Sequence, residues 1–599
     1  MMFMLCVALQ VVHGCLPKER EALLQFKAAI VARYNMLSSW STPDCCQWQG
    51  IRCSNLTAHI LGLHLPGDFH LEYDYEIPRR YISGEIYNSL TELRQLEYLN
   101  LSLNSFPDTH IPEFFGSLTN LRYLDLSSCD FSGGIPKSFG NACALRSLDM
   151  SRNSLSEEFP RIIHHLSGCA RYSLEKLDLN MNQINGTLPD FSTFTSLREL
   201  NLCENKLNGE IPKDIQFSPK LQKLYMNSNS LKGVLTDYHF SNMSKLRELD
   251  LSDNSLALTF TQNWVSPFQL FQIKLRSCEL GPTFPKWLLT QNNFGYIDIS
   301  NASISDIVPE WFWAKLALLE ERMSMNISYN HLRGIIPNFP PKNRFFEMSL
   351  GSNQFEGHIP LFLRKSAILD LSKNKFSDST LFLCWNGTFE ALHQLDLSNN
   401  QLSGQISDCW TYFKSLTYFD LSHNKFSGKI PSSMGSLFNL QALLLRNNLK
   451  NEIPFSLRSC TELVMLDMAE NKLTGPFPVW IGSNLKRLQF LSLGSNNFYG
   501  NLPTQICYLR NIQLLDLSLN NLFGQIPKCI KNFVAMAQKG SEGYAHDYKM
   551  AYFATILYEL NDFLMWKGLK QMFTNNQLIL LKSKQSLLRR NSSRNRKFA

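Results

Sequence analysis

The chain has 599 residues, 44% of them apolar, which is typical of a folded protein rather than a disordered one. Its formal net charge of +7 comes entirely from the basic residues beyond residue 581: Lys582, Lys584, Arg589, Arg590, Arg594, Arg596 and Lys597. The remainder is neutral, which excludes the extended basic face that nucleic-acid binding requires.

Residues 1–14 are predicted to be a secretory leader. The apolar run Phe3–Val12 is too short to span a bilayer, and the small residue Gly14 precedes Cys15. The fourteen cysteines that remain after the leader are an even number, as expected for an oxidising compartment. N-x-Ser/Thr sequons also favour secretion; a further one lies at Asn591, and the predicted glycosylation sites are Asn55, Asn100, Asn185, Asn242, Asn301, Asn326 and Asn386.

Residues 15–57 are predicted to form an N-terminal cap that covers the apolar edge of the first repeat. The segment begins with a helix-like stretch, Glu21–Ile30, and continues with closely spaced cysteines, tryptophans and a glycine. These residues are Cys15, Trp40, Cys45, Cys46, Trp48, Gly50 and Cys53.

Residues 58–531 contain a repeat, L-x-x-L-x-L-x-x-N-x-L-x-G-x-I-P, that recurs about every 24 residues. We count eighteen coils after a first irregular one. One clear example consists of Leu197, Leu200, Leu202, Asn205, Leu207, Gly209, Ile211 and Pro212. A single coil can bury its leucines only against its neighbours, so the coils must stack. The sequence therefore predicts a leucine-rich-repeat solenoid, a horseshoe or superhelical arc with a parallel β-sheet on its concave face, and strands such as Leu197–Leu202 and Leu463–Met468.

The asparagine of each coil is predicted to turn inward and bond to backbone groups that the bend leaves unpaired. Asn448 holds this position in one coil, and Cys129 and Cys278 replace the asparagine in two others. We expect both cysteines to be buried free thiols. The glycine of G-x-I-P permits the bend that follows, as at Gly428.

The repeat pattern stops at residue 531. Residues 532–577 form a non-repeat segment, and residues 578–599 form a divergent basic tail. A membrane-spanning helix needs around 20 mainly apolar residues, whereas the best stretch after Cys15 is Met550–Tyr558. We therefore expect no membrane anchor in this chain.

The Cys-Cys-x-Trp-x-Gly phrase of the cap, the G-x-I-P phrase and the segment around Asn532, Phe533 and Met565–Gly568 resemble plant receptor-like proteins. The resemblance includes the receptors that sense fungal xylanase and fungal effectors. It implies disulfides Cys15–Cys45 and Cys46–Cys53. Cys384 with Cys409 and Cys507 with Cys529 lie about one coil apart, so stacking can join them, and both pairs look like family disulfides.

Members of that family are single-pass plasma-membrane proteins without a kinase domain, which signal through partner receptor kinases. The resemblance thus implies an extracellular or cell-surface location. It also indicates that this chain is truncated at its C-terminus.

Enzymatic function has no support in the sequence. No phosphate-binding loop, kinase signature, zinc-binding helix or nucleophile elbow occurs, and neither a cofactor nor a metal is implied. Aspartates recur between the second and third strand leucines, for instance at Asp125, Asp250 and Asp420. This row is one repeat position copied along the sheet and lacks the second ligand type that an active site needs.

Ligand binding is predicted at strand positions that point away from the leucine core, where aromatic and arginine side chains are the best anchors. The candidates are Tyr98, Tyr123, Tyr225, Arg276, Phe346, Tyr418, Arg446 and Phe490.

Three hypotheses follow. The first is a receptor-like protein in plant defence or development that binds a peptide, protein or glycan and signals through partner kinases. The second is a soluble inhibitor of a secreted microbial cell-wall-degrading enzyme, similar to polygalacturonase-inhibiting proteins. The third is a truncated decoy of a receptor.

Overall fold

The computed structural model describes residues 14–68, 80–261, 263–319, 323–339, 345–384, 392–529, 533, 564–566 and 569–571. The chain divides into two compact units. The first unit contains Met1–Gly281 with Pro285–Ser303, and the second contains Pro282–Phe284 with Ile304–Ala599. Each unit is described separately.

The N-terminal cap of the first unit begins with the helix Pro17–Ala29, whose proline occupies the first turn, where a missing N–H costs nothing. Trp40 and Trp48 stack with ring centroids 5.2 Å apart beneath it. The buried carboxylate of Glu19 accepts a hydrogen bond from the Ile60 backbone N–H at 2.8 Å and lies 2.7 Å from His59 Nδ1. The helix is thereby attached to the first long strand of the sheet.

The main sheet of the first unit consists of short strands, one from each coil. The first two strands pair antiparallel, and every later pair is parallel. The strands are Ile51–Cys53, Ile60–His64, Tyr98–Asn100, Tyr123–Asp125, Ser147–Asp149, Lys176–Asp178, Glu199–Asn201, Lys223–Tyr225, Glu248–Asp250, Gln272–Lys274 and Tyr296–Asp298.

Shorter strands and helical turns complete the coils of the first unit. The additional strands are Ile30–Ala32, Ile82–Gly84, Ser132–Gly133, Ser154–Leu155, Asn185–Gly186, Lys206–Glu210, Ser230–Leu235 and Ser255–Leu258. The further α-helices are Phe159–Leu166, Ala170–Ser173 and Asp237–Phe240. The 3₁₀ turns are Arg33–Asn35, Cys45–Gln47, Asn88–Glu92, Glu113–Ser117, Lys137–Asn141 and Lys286–Thr290.

The second unit repeats this plan, and its main strands also pair in parallel. Its main strands are Met323–Asn326, Phe345–Ser349, Ser366–Asp370, Gln394–Asp396, Tyr418–Asp420, Ala442–Leu444, Met465–Asp467, Phe490–Ser492 and Leu514–Asp516. Its other strands are Arg333–Ile335, Gln354–His358, Lys375–Asp378, Ser403–Gln405, Lys425–Gly428, Asn448–Asn451, Lys472–Pro476, Asn497–Asn501, Asn521–Phe523, Leu564–Trp566 and Leu569–Gln571. Its α-helices are Glu310–Leu318, Thr380–Leu383 and Val479–Asn484, and its 3₁₀ turns are Leu361–Lys365, Trp410–Tyr412, Ser432–Ser436, Phe455–Ser459 and Thr504–Tyr508.

The core of each unit is made by the leucines of the repeat and is held by the inward asparagines. Asn182 shows the pattern: its Nδ2 donates to the Leu179 carbonyl of its own coil at 3.1 Å and to the Met150 carbonyl of the preceding coil at 3.0 Å, and its Oδ1 accepts from the Leu155 backbone N–H. One side chain thus satisfies backbone groups of two coils, as the repeat predicts. Gly428 has φ of +84°, the left-handed conformation that glycine adopts without strain.

Two coils replace the inward asparagine by cysteine, and a third has its inward asparagine at a different residue from the predicted one. Cys129 and Cys278 are buried free thiols, as expected, and the Cys129 thiol donates to the Leu101 carbonyl at 2.9 Å in place of the amide. Burial raises the pKa of both thiols to about 12. The assignment of Asn448 is wrong, because Asn448 is exposed and the buried Asn447 donates to the Leu421 carbonyl instead.

The described residues form five disulfides. Four of them are the two cap pairs and the two one-coil pairs expected from the sequence. The fifth, Cys143–Cys169, was not predicted. Its separation of 26 residues matches the one-coil rule that indicated the other two pairs. These bonds fix the cap and connect neighbouring coils.

The leader falls almost entirely outside the described residues, and the basic tail does so completely. Within the non-repeat segment, Leu564–Trp566 and Leu569–Gln571 pair antiparallel. None of the helices in the described ranges has the length and apolar character needed to cross a bilayer.

Candidate ligand-binding face

Each main-sheet strand presents two side chains on the side away from the leucine core, because side chains alternate along a strand. In Tyr123–Asp125 the central Leu124 is buried in the core, and Tyr123 and Asp125 point to the other side. We call this side of each main sheet the open face. The residue before the central core residue belongs to its first row, and the residue after it belongs to its second row.

The two rows of the first unit are largely polar. The first row is Tyr98, Tyr123, Ser147, Lys176, Glu199, Lys223, Glu248, Gln272 and Tyr296. The second row is Asn100, Asp125, Asp149, Asp178, Asn201, Tyr225, Asp250, Lys274 and Asp298.

In the second unit the first row becomes apolar toward its later strands. It reads Ser324, Glu347, Ile368, Gln394, Tyr418, Ala442, Met465, Phe490 and Leu514. The second row reads Asn326, Ser349, Asp370, Asp396, Asp420, Leu444, Asp467, Ser492 and Asp516.

Charged side chains on the open face of the first unit pair with one another across strands. Lys176 Nζ lies 3.3 Å from Asp149 Oδ2, 3.5 Å from Asp178 Oδ2 and 3.7 Å from Glu199 Oε1. Lys223 Nζ lies 3.8 Å from Glu199 and 3.7 Å from Glu248. The carboxylates of this face are therefore largely neutralised by its own lysines.

The predicted anchors Tyr98 and Tyr123 form an aromatic stack at the start of this face. Their ring centroids are 4.5 Å apart and their planes differ by 5°, while the Tyr98 hydroxyl lies 3.3 Å from His64 Nδ1. The Tyr123 hydroxyl donates to Asp125 Oδ2 at 3.1 Å. Burial, followed by the Asp125 charge, raises the pKa of Tyr123, so its hydroxyl remains a donor. Both polar tips thus have partners within the protein.

The other two anchors predicted in the first unit differ in their positions. Tyr225 is a second-row residue whose hydroxyl donates to Glu248. Arg276 lies in the turn after the strand, and its Nε donates to Asp253 Oδ1 at 3.0 Å. Arg276 is largely exposed, so this pair contributes little to stability.

The open face of the second unit carries an apolar cluster that is separate from the leucine core. It contains Tyr418, Ala442, Leu444 and Met465, against which the half-buried Phe490 packs. Tyr418 is only 5% exposed, so its prediction as an exposed anchor is wrong. The other predicted aromatic, Phe346, belongs to the strand Phe345–Ser349, but its side chain falls outside the described part of the structure.

Arg446 was also predicted to be an exposed anchor, and this is wrong for a different reason. Its side chain is 13% exposed, and its Nε and Nη2 donate to Asp467 Oδ2 at 2.9 and 2.7 Å. The guanidinium neutralises a buried carboxylate. Its removal would leave Asp467 charged and unpaired, which makes Arg446 a structural residue.

Two neighbouring second-row carboxyls, Asp396 and Asp420, are directly opposite each other on paired strands. Burial, followed by the Asp420 charge, raises the pKa of Asp396 well above its ordinary value of 3.8. Burial also raises the pKa of Asp420, to about 6. In the described ranges neither residue forms an ion pair, unlike the carboxylates around Lys176.

The aspartate row has a local structural role that explains its recurrence. Asp125 Oδ1 accepts from the Ser127 backbone N–H at 3.0 Å, and Asp298 Oδ1 accepts from Ser300 in the same way. This bond closes the turn after each strand. This structural role explains the row of aspartates without a catalytic one.

Two sequons coincide with this turn, because asparagine can replace the aspartate in an Asp-x-Ser phrase. Asn100 is 7% exposed, accepts from the Ser102 N–H and donates its Nδ2 to Asp125 Oδ2 at 3.1 Å. The nitrogen that would carry a glycan is therefore buried and bonded, so the predicted glycan at Asn100 does not fit. Asn326 makes the same turn bond to Ser328.

The other predicted acceptors are placed differently. Asn55, Asn242 and Asn301 are exposed, Asn185 is half-buried, and Asn386 lies outside the described residues. Among the described side chains, the one group with ligand atoms close enough for a metal is Cys15, Asp44 and Cys46. Both sulfurs belong to disulfides, so they are not available to a metal ion.

Comparisons with known proteins agree with the repeat architecture. A leucine-rich repeat region profile matches residues 82–305, a leucine rich repeat N-terminal domain matches 16–54, and single leucine rich repeats match 391–413 and 415–437. Among solved structures, the chain is similar to the ectodomain of the Arabidopsis receptor kinase HAESA in complex with an N-terminally extended IDA peptide hormone. The TM-score is 0.70 at 28% identity, with 89% of this chain and 85% of that chain covered.

Two curated proteins of Solanum lycopersicum are similar over almost the whole chain. Receptor-like protein EIX2 is 31% identical, with 94% of this chain and 77% of that protein covered. Receptor-like protein EIX1 is 30% identical with the same coverage. This similarity, together with the cap and the stacked coils, shows that the chain belongs to the plant leucine-rich-repeat receptor-like proteins.

Proposed function

We propose that this chain is an extracellular recognition protein that binds a peptide or protein ligand on the open face of its second unit. The proposal is based on the apolar cluster that Tyr418, Ala442, Leu444 and Met465 form with Phe490. These side chains lie outside the leucine core; the first four are buried, and the half-buried Phe490 and its first-row neighbour Leu514 provide the accessible apolar surface.

The scaffold itself accounts for the other repeat positions. Leucines fill the core, asparagines bond to the backbone, and most second-row aspartates close turns. First-row residues are freed from these roles and can vary with the ligand. An apolar surface beside carboxyl groups favours a peptide or protein over a neutral glycan, for which the face offers no particular support.

We further propose that the chain acts at the cell surface or in the apoplast and signals through partner receptor kinases in defence or development. Its disulfides fit an oxidising compartment. The similar HAESA ectodomain was solved with a peptide hormone, which supports a peptide as one ligand class.

The test is affinity capture with the full chain secreted from plant cells and exposed to apoplastic fluid and fungal culture filtrate. Phe490→Ala should reduce retention of the specific ligand, whereas Val479→Ala, a matched apolar truncation in the exposed helix Val479–Asn484, should not. Co-purification of a receptor-kinase ectodomain supports the signalling role. Equal retention by both variants contradicts the proposed face, and inhibition of a cell-wall hydrolase without any kinase partner favours the inhibitor hypothesis.

A further inference from the structure

Ser492 is an unusual member of the second row. Its strand lies between those of Asp467 and Asp516, and its side chain faces the open side with both carboxyls as direct neighbours. The residue is 5% exposed, yet its hydroxyl has no hydrogen-bond partner among the described residues. Buried hydroxyls nearly always have a partner, so this group indicates a contact that the chain does not itself supply.

A second copy of the same local sequence shows why the hydroxyl is left unpaired. The phrase Ser-Leu-Gly replaces Asp-Leu-Ser at residues 349–351 and again at 492–494. Ser349 donates its hydroxyl to the first-row residue Glu347 at 3.0 Å. The first-row residue beside Ser492 is Phe490, which cannot accept such a bond.

Gly494, in the same coil as Ser492, leaves room for the Asp516 carboxylate of the next coil. A Cβ added at Gly494 would lie 2.5 Å from Asp516 Oδ2, so any other residue would displace the Asp516 side chain. Asp516 Oδ1 accepts from the Ser518 N–H at 2.9 Å, as in the other turns. In the part of the chain that the structure describes, Asp516 forms no ion pair, whereas Asp467 on the other side already holds Arg446.

Ser492 and Asp516 are thus direct neighbours on paired strands, and within the described ranges neither side chain is bonded to a basic residue. The half-buried side chains of Phe490 and Leu514 flank them in the first row. An apolar wall beside a carboxylate and a hydroxyl matches a long basic side chain, whose methylene groups pack while its head is bound. A guanidinium or ammonium also gains from an aromatic face.

We infer that Ser492, Asp516, Phe490 and Leu514 form a subsite for a lysine or arginine side chain of the ligand. This inference rests on the proposed function and specifies it: the ligand is a peptide or protein segment with a basic residue next to apolar ones. Asp516 supplies the charge, Ser492 accepts a hydrogen bond, and Phe490 and Leu514 position the aliphatic part.

Selection of displayed random twelve-residue peptides on the full chain tests the subsite. Selected peptides should be enriched in lysine or arginine beside an aromatic or aliphatic residue. For a synthetic peptide from the selection, Asp516→Asn should weaken binding about 10-fold or more, because one charge of a desolvated pair is lost. Asparagine retains the Oδ1 acceptor for Ser518, so the fold should persist. Asp149→Asn in the first unit is the matched control and should leave affinity unchanged.

The peptide provides the reciprocal test. Replacing its basic residue by norleucine should weaken binding to the wild-type chain about 10-fold and have little further effect on Asp516→Asn, since the two changes remove one interaction. Peptides without basic enrichment, or equal affinity for wild type and Asp516→Asn, would overturn the subsite. If binding responds to Phe490→Ala but not to Asp516→Asn, the subsite alone fails. If it responds to neither, the proposed face fails as well.

Discussion

The open faces of the two units share one scaffold and differ in how their polar groups are satisfied. In the first unit, Lys176 and Lys223 neutralise the neighbouring carboxylates. In the second, Asp396 and Asp420 form no ion pair and Ser492 has no hydrogen-bond partner within the described ranges, beside an apolar cluster. Polar groups that a protein leaves unsatisfied are concentrated at functional sites. This difference supports our proposal that recognition occurs on the second unit and that the ion pairs of the first are mainly structural.

The largest loss of stability is expected on replacing an inward asparagine. It should be the same in both units, because both depend on these side chains. Asn254 donates to three carbonyls and accepts from Leu231, and Asn374 does the same with Phe355. Replacing either by alanine should cost ~2–4 kcal/mol of unfolding free energy, since several buried backbone groups lose their partner. Denaturant titration with local hydrogen exchange measures it. A loss below ~1 kcal/mol, or one confined to a single unit, would show that the scaffold is not shared.

The next comparison uses one arginine from each unit. Arg446→Met should destabilise the second unit by ~3 kcal/mol, because the buried Asp467 would lose its guanidinium. Arg276→Met should cost less than ~1 kcal/mol, because its pair with Asp253 is exposed. Thermal and denaturant unfolding of the two variants test this ranking. Equal effects would contradict the distinction between buried and exposed pairs.

Acidic pH should stabilise the second unit through Asp420. Its pKa is about 6 in the folded protein against an ordinary 3.8, so the folded state binds more protons between these values. Stability should therefore fall as pH rises from about 4 to about 6, by ~1–3 kcal/mol. Asp420→Asn should flatten this slope while retaining the acceptor for the Ser422 N–H.

Asp408→Asn is the control for that slope. Hydrogen bonds from Ser433 lower the pKa of the exposed Asp408, so removing its charge should act in the opposite sense and only weakly. A pH profile of Asp420→Asn that is as steep as that of the wild type would exclude Asp420 as its source.

The smallest expected effect concerns the ion pairs of the first unit. Lys223→Met should change its stability by less than ~1 kcal/mol, since the lysine is partly exposed and lies 3.7 Å or more from its partners. High salt should reduce the difference between variant and wild type further. A loss above ~2 kcal/mol would mean that these pairs support the fold more than exposed pairs ordinarily do.

The sequence predicts the repeat scaffold well, because leucine and asparagine positions are determined by a core that each coil repeats. The spacing rule also indicates two disulfides, and the same rule applied to Cys143 and Cys169 would have found the third one-coil pair. The error at Asn448 arose because this coil is one residue shorter, which places Asn447 inward.

The open face is predicted less completely. Alternation identifies the side to which Tyr418 and Arg446 point, but their depth depends on neighbours such as Leu444 and Asp467 in other coils. Ser492 gave no signal in the sequence, since serine is common in these repeats. Its significance appears only when its missing partner and the adjacent Asp516 are known.

Hydroxyl-radical footprinting of the full chain with and without its captured ligand tests the central claim most directly. Phe490 and Leu514 should lose reactivity on binding, whereas Tyr98 and Tyr123, which are half-buried aromatic residues on the open face of the first unit, should retain theirs. Protection of Tyr98 and Tyr123 with unchanged reactivity of Phe490 and Leu514 would contradict it and place recognition on the first unit.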